Sequence, residues 1–176
     1  MQIPAMITTE PDNVAQNTPG TVRLGLRDPD TGAVIPSNIA SMIASLPTPN
    51  PGTATSMPDW SPDGSFVVFA AYDSDLNYVR LLGDDIVLAS IVEAPVSYAN
   101  GSFTFGTPKV LVAAKSSDDP ATGQNNLLPA VSPDGSVVAF TRAAGWWSIK
   151  TQTSLLNLSG QIAMVRRSDG QVLELV

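Results

Sequence analysis

Residues 57–70 read MPDWSPDGSFVVFA, and residues 128–141 read LPAVSPDGSVVAFT. The two stretches align without a gap at an offset of 71 residues, the difference between 128 and 57. Both contain Ser-Pro-Asp-Gly, in which Pro presets φ, Asp can bond its own backbone and Gly accepts a positive φ. The sequence therefore predicts one repeated unit, in which a short strand turns through Ser-Pro-Asp-Gly into a second strand.

The strands that follow the two turns are apolar at odd and even positions alike. They cover residues 66–71 in the first copy and residues 137–141 in the second copy. A strand with one wet face alternates between apolar and polar residues, whereas a strand without alternation is covered on both faces. We therefore expect both strands to be buried on their two faces.

This combination resembles the TolB-type β-propeller repeat, a relative of the WD repeat. The pattern of that family is Pro-x-Trp-Ser-Pro-Asp-Gly, followed by an apolar strand that ends in Phe. The first copy carries the whole pattern from Pro58 to Phe69, and the second copy has Val131 where the first has Trp60. The resemblance implies an all-β fold, a partial β-propeller made of four-stranded antiparallel blades around a channel. It says little about activity, because propellers serve many functions.

The length of 176 residues limits how much of a propeller the chain can form. Blades of this kind take about 40–45 residues, and a closed ring needs at least about four of them. We expect an N-terminal arm at 1–19, a partial blade hairpin with a linker at 20–56, a first full blade at 57–127 and a second at 128–176. The chain is then a piece of a longer propeller; the alternative is a ring completed by another copy.

The strands are expected at definite positions within this plan. A hairpin is predicted over 21–35, and a short helix over 37–46 with Ser37 as its cap. The first blade is predicted to have strands at 58–61, 65–72, 86–93 and within 103–113. The second blade is predicted to have strands at 129–132, 136–142, 161–167 and 171–176.

Composition excludes several classes of function. The net charge of −7 and the pI near 4.3 argue against a nucleic-acid-binding surface, which needs a basic stripe. The chain has no His and no Cys, which removes thiol nucleophiles, imidazole bases, Ser-His-Asp triads and ordinary zinc sites. We therefore expect a protein that is not an enzyme. The composition still allows carboxylate chemistry and the binding of metals with oxygen ligands, such as Ca²⁺.

The first residues have no basic region and no continuous apolar core, so these residues as they stand are not expected to act as a signal peptide. No later stretch approaches the roughly 20 apolar residues that span a membrane, and membrane insertion is not expected. The family resemblance implies a periplasmic or extracellular location in a bacterium. A cytoplasmic location is the alternative.

Binding residues are expected on the long loops between the second and third strands of each blade. These loops, at 73–85 and 143–160, lie with the connection at 115–126 at the end of the blades opposite Ser-Pro-Asp-Gly. In the first loop, Asp73, Asp75 and Asn77 place oxygen ligands at alternate positions, as calcium loops begin. This is half a motif, and the alternative is a solvated loop. Apart from calcium, no cofactor is expected.

The second loop contains the adjacent pair Trp146 and Trp147, with Arg142 just before it. Exposed Trp residues can stack on a sugar or an extended peptide, or anchor a protein partner. The alternative is that at least one of them is buried, since neighbours in an extended segment point opposite ways. We take the two Trp residues, Arg142 and Arg80 of the first loop as candidate residues for binding a ligand or partner.

The sequence thus predicts a non-catalytic binding or scaffold segment of a TolB-like β-propeller, whose partners are a protein or further blades. One alternative is the gating segment of a larger enzyme, such as a serine peptidase, with its nucleophile outside these residues. Another is a building block of an extracellular assembly, in which copies associate through the open edges of their blades.

Overall fold

A computed structural model of the chain describes residues 5–11, 22–46, 54–72, 88–115, 124–144 and 160–175. These residues form one short helix, α1 (Ile39–Ala44), and a series of strands. The strands are β1 (Met6–Pro11), β2 (Val22–Arg27), β3 (Thr55–Trp60), β4 (Phe66–Tyr72), β5 (Ala89–Ala99), β6 (Ser102–Phe105), β7 (Lys109–Val112), β8 (Gln124–Val131), β9 (Val137–Ala144), β10 (Gln161–Arg166) and β11 (Val172–Leu175). The expected all-β fold is confirmed.

The strands form three antiparallel sheets. Strands β1 and β2 form a two-stranded N-terminal pair. The first sheet has the order β3-β4-β5, and both β6 and β7 pair with β5. The second sheet has the order β8-β9-β10-β11, so that each strand pairs with its neighbour in sequence.

The repeat extends to the backbone irregularities of the two sheets. The β3–β4 register shifts between Ser56 and Asp59, and the β8–β9 register shifts between Leu127 and Ala130. Met57 and Leu128, which are 71 residues apart, have positive φ values of 55° and 53°. Such bulges bend a strand and increase its twist. The two copies therefore share the same bent first strand, a detail that the turn chemistry alone does not predict.

The first sheet is covered on both faces. Every residue of β4 is buried, as the absence of alternation in its sequence predicts. One face, with Val67 and Phe69, packs against the N-terminal pair and α1. The other face, with Phe66 and Val68, packs against the second sheet. The first sheet is thus the middle layer of a stack.

The second sheet is covered on one face. Val138 and Phe140 are buried against the first sheet, while Val137 and Ala139 on the opposite face are half-buried. The prediction that this strand is buried on both faces is therefore wrong for the second copy. Within the part of the chain that the structure describes, no further sheet lies against that face.

The N-terminal region is more ordered than its sequence predicts. Residues 6–11 are expected to belong to an arm, but they form β1, whose residue Thr8 pairs with Gly25 of β2. The predicted return strand after the turn at 28–32 reduces to a single bridge between Arg27 and Val34. Since β2 needs a hydrogen-bonding partner along its length, β1 takes the place that we assigned to the return strand.

The helix is confirmed, and the residue before it is Asn38, one position after the predicted Ser37. Met42, Ile43 and Leu46 are buried and Ile39 packs beside them, as the apolar stripe predicts. The Ser37 hydroxyl accepts a hydrogen bond from the Ile39 N–H at 3.4 Å, whereas the Asn38 side chain does not cap the helix. Instead, the Asn38 amide donates to the Phe105 carbonyl at 2.8 Å and accepts from the Phe105 N–H at 2.7 Å. The amide thus pairs with the edge of β6 as a backbone peptide would.

The third strand of the first sheet is longer than expected. Instead of ending near residue 93, β5 continues to Ala99 and turns back through Asn100 and Gly101, both at positive φ. The single strand expected within 103–113 is two strands, separated by 106–108, which pair with different parts of β5.

In the second sheet, β8 begins at Gln124, so that part of the expected connection at 115–126 belongs to the sheet.

Candidate functional site

The two Ser-Pro-Asp-Gly turns are closed by the same hydrogen bonds. In the first turn, the Ser61 hydroxyl donates to the Asp63 carboxylate at 2.8 Å and accepts from the Phe66 N–H at 3.0 Å. The same carboxylate accepts from the Ser65 N–H at 3.0 Å and from its hydroxyl at 2.7 Å. Gly64 has φ of 73°, a conformation that Gly adopts without strain. The turn carboxylate is therefore occupied by its own turn.

The second turn repeats this arrangement around Asp134. Its carboxylate accepts from the Ser132 hydroxyl at 2.6 Å and from the Ser136 N–H at 3.0 Å. Hydrogen bonds from Ser65 lower the pKa of Asp63 to about 2. Hydrogen bonds from Ser132 and Ser136 lower the pKa of Asp134 to about 2. Both carboxylates are charged at neutral pH and stabilise the turns.

We expect these two Asp residues to contribute to the loss of stability in acid. Their folded pKa values lie below the ordinary value of 3.8, so the stabilisation is complete above about pH 4 and is lost as the pH falls towards 2. Asp63→Asn and Asp134→Asn should each lower the melting temperature at pH 7 and flatten its decline between pH 4 and pH 2. Thermal denaturation at pH 7 and across the acid range measures both effects. An unchanged acid profile in the double variant would contradict this role.

An ion pair joins the two sheets beside the turns. Arg167, just after β10, forms two hydrogen bonds to the Glu93 carboxylate of β5, at 2.7 and 2.8 Å. Its guanidinium lies 3.5 Å from the ring centroid of Phe66 and donates to the Gly135 carbonyl at 2.8 Å. The hydrogen bonds to Glu93 raise the pKa of Arg167. Since the Glu93 side chain is only 13% exposed, the pair is largely shielded from solvent.

A second contact joins the sheets at their first strands. The Asp59 carboxylate of β3 accepts a hydrogen bond from the Val131 N–H of β8 at 2.8 Å. Asn125 of β8 reaches in the other direction, because its side-chain oxygen accepts from the Ala89 N–H of β5 at 2.8 Å. Together with the Arg167–Glu93 pair, these contacts fix the position of the second sheet on the first.

The sequence contained a signal for this ion pair that we did not use. Glu93 stands in the otherwise apolar run from Ile91 to Ala94, and Arg167 precedes the Ser-Asp-Gly turn. A lone carboxylate on a buried strand needs a cation beside it, because a buried charge without a partner is costly. Arg167 is the partner in the structure, and only the pairing of the strands shows why.

The uncovered face of the second sheet is mainly apolar, and we call it the open face. Its apolar residues are Ala130, Val137, Ala139, Ile162, Met164 and Leu173, and the strand pairing places Thr141 and Arg166 on the same face. The Ile162 side chain is 58% exposed and Leu173 is 43% exposed. A shallow groove of about 390 Å³ lies along the face beside Met164. Contiguous exposed apolar residues of this kind are typical of protein interaction sites.

Most of the site residues predicted from the sequence lie outside the described residues. These are Trp146 and Trp147, Arg80, and the calcium candidates Asp73, Asp75 and Asn77. Their predicted roles stay predictions. Within the described ranges, no group of three or more acidic residues is arranged to hold a metal ion.

Arg142 is the predicted site residue that the structure describes. It lies near the end of β9 and is half-buried. Its Nε atom donates to the Asn126 side-chain oxygen at 3.2 Å, and its guanidinium lies 5.5 Å from the Phe140 ring centroid. The Asn126 amide in turn donates to the Ala113 carbonyl at 3.2 Å. Arg142 therefore takes part in a network that links β9 to the first sheet.

Comparisons with known proteins add solved structures that are similar to this chain. No family model matches the chain, and no curated protein matches it. One solved structure that is similar to this chain is a provisionally assigned 6-phosphogluconolactonase of Bacteroides fragilis, with 10% sequence identity and a TM-score of 0.24. The match covers 98% of this chain and 67% of that one. Among the described residues, no helix is long and apolar enough to cross a membrane.

Proposed function

We propose that the chain is a non-catalytic scaffold of stacked antiparallel sheets, part of a TolB-like β-propeller, and that it binds a protein through the open face. The observation that carries this proposal is the equivalence of the two sheets. The face of the first sheet that carries Phe66 and Val68 binds the second sheet. At the offset of 71 residues, the same face of the second sheet carries Val137 and Ala139, which are part of the open face.

The chemistry of the open face supports binding rather than catalysis. A catalytic centre needs a nucleophile, an acid or base, or a metal, held where a substrate can reach it. Besides Thr141 and Arg166, whose guanidinium binds Asp169, the open face offers Ala, Val, Ile, Met and Leu side chains. The nearby carboxylate of Asp134 is occupied by its own turn, and its lowered pKa makes it a weak base. A protein surface with exposed aliphatic side chains is the partner that such a face binds.

The periplasmic or extracellular location is part of this proposal and comes from the family resemblance. The motif Pro-x-Trp-Ser-Pro-Asp-Gly, the four-stranded order of the second sheet and the bend shared by the two first strands support the assignment to a propeller. Each blade of a propeller packs against the next through its faces. The Arg167–Glu93 pair and the Asp59–Val131 contact are links of this kind between two successive sheets.

Photocrosslinking in the cells that produce the protein tests this function. A photoreactive residue replaces Ile162 on the open face of the full chain or, as the matched control, exposed Thr104 on β6 of the first sheet. We expect a protein adduct from position 162 and none from position 104. Met164→Glu, which introduces a charge into the face, should abolish the adduct. An adduct that is absent at 162, or that survives Met164→Glu, would contradict the proposal.

A further inference from the structure

The open face carries a row of residues whose counterparts in the first sheet are known from the strand pairing. The row across the second sheet consists of Ala130, Ala139, Met164 and Leu173. The row across the first sheet consists of Asp59, Val68, Glu93 and Lys109. Directly paired residues of antiparallel strands point to the same face. Three charged positions of the first row are therefore apolar in the second.

Two of the charges in the first row bind the next sheet. Glu93 forms the ion pair with Arg167, and Asp59 accepts from the Val131 N–H. A further repeat of the same kind on the open face would bring its own counterpart of Arg167 to Met164. A thioether cannot neutralise a guanidinium. That arrangement would therefore shield an arginine from solvent without the carboxylate that Glu93 provides to Arg167. The open face is therefore not built to receive a sheet that carries an arginine at the position of Arg167.

A second copy of the same face can cover the open face without bringing an arginine to Met164. In a two-fold contact each partner presents the same patch, so that the row meets its own copy. If the row carried acidic residues, they would face each other near the two-fold axis, which is costly. Ala, Met and Leu pack there without any charge. The substitution of Asp, Glu and Lys by Ala, Met and Leu suits a face that binds itself.

Within the described residues, β2 at the opposite end of the stack does not offer a similar surface. There the outward positions of β2 are Arg23, Gly25 and Arg27, because Leu24 and Leu26 point into the core. A head-to-tail contact would place the apolar row against these arginines. A face-to-face contact avoids this arrangement.

We propose that two copies of this chain associate through their open faces, with the apolar rows in contact. The inference rests on the proposed function, because it assigns the occupant of the same face. Four strands about 4.8 Å apart, each about six residues long, give a face of about 400 Å² in projection. Stable interfaces bury about 800 Å² on each partner, so this dimer should be weak and depend on concentration.

Sedimentation velocity of the purified full chain, from low micromolar to near-millimolar concentration, tests the proposal. We expect the mass to rise from 18.4 kDa towards twice that value. Met164→Glu should hold the chain at the monomer mass, since it restores the acid found at the equivalent position of the first sheet. It should also fold, because Glu93 occupies that position in a native strand. Ile162→Lys, at an exposed position, is a second variant with the same expected result.

Thr104→Glu is the control, because it adds the same charge at an exposed position outside the open face. It should dimerise as the parent chain does. A chain that stays monomeric at every concentration would overturn the proposal and leave the crosslinking test of the scaffold function standing. Association that survives both Met164→Glu and Ile162→Lys would also overturn it, and would indicate contact through strand edges.

Discussion

Phe140→Ala is expected to lower the free energy of unfolding by about 3–5 kcal/mol. The Phe140 side chain is 2% exposed and lies in the core between the two sheets, with Val138 of the same strand. Truncation removes the apolar surface that the ring buries and leaves a cavity that neighbouring strands cannot fill. Since domains are stable by only about 5–15 kcal/mol, a loss of this size is a large part of the total.

Equilibrium denaturation in urea measures this loss. Phe140→Leu is the conservative variant and should be less harmful, because it keeps most of the apolar volume. Val34→Ala is the control, since Val34 is 64% exposed, and its effect should stay within about 0.5 kcal/mol. A Phe140→Ala variant that loses less than about 1 kcal/mol would mean that this residue does not lie between packed sheets.

The second large effect concerns the ion pair between the sheets. We expect Glu93→Ala to lower the free energy of unfolding by about 2 kcal/mol, because it leaves Arg167 partly shielded without its carboxylate. In a double-mutant cycle with Arg167→Ala, the coupling energy should be about 1–2 kcal/mol. The pair makes two hydrogen bonds, and its side chains are 13% and 27% exposed, so added salt should reduce the coupling only slightly.

The chain contains a matched control for this cycle. Arg166 and Asp169 also form an ion pair, at 2.8 Å, but their side chains are 45% and 49% exposed. Because solvent and salt screen exposed pairs, this coupling should be much smaller than that of Glu93 and Arg167. Equal coupling in the two pairs would contradict the assignment of Arg167 to the contact between sheets.

Local chemistry explains which parts of the fold the sequence could predict. The two Ser-Pro-Asp-Gly turns and the strands after them follow from side chains that act on their own backbone. The apolar residues at 39, 42, 43 and 46 were sufficient to predict the helix. Strand β1 has no such pattern, because its residues, MITTEP, neither alternate between apolar and polar nor form an apolar run. The split into β6 and β7 depends on how β5 pairs along its whole length, which no local pattern records.

The candidate site could be predicted much less well. The sequence predicts binding residues in the long loops, where Trp146, Trp147 and the Asp73 calcium candidate lie outside the described residues. The open face cannot be predicted in this way, because Val137 and Ala139 look like the buried residues of the first repeat. Whether such a strand is covered depends on the next layer of the stack. The contrast between Glu93 and Met164 became visible only when the strand register placed them at equivalent positions.

The stacking of the two repeats is the central claim, and nuclear magnetic resonance tests it most directly. The Phe66 ring of the first sheet lies under the Arg167 guanidinium and beside Gly135 of the second turn. We predict nuclear Overhauser contacts from the Phe66 ring protons to the Gly135 α-protons and the Arg167 side chain. Ring currents should also shift the Arg167 side-chain protons upfield, and Phe66→Leu should remove this shift. Well-dispersed spectra without these contacts would contradict the stacked arrangement.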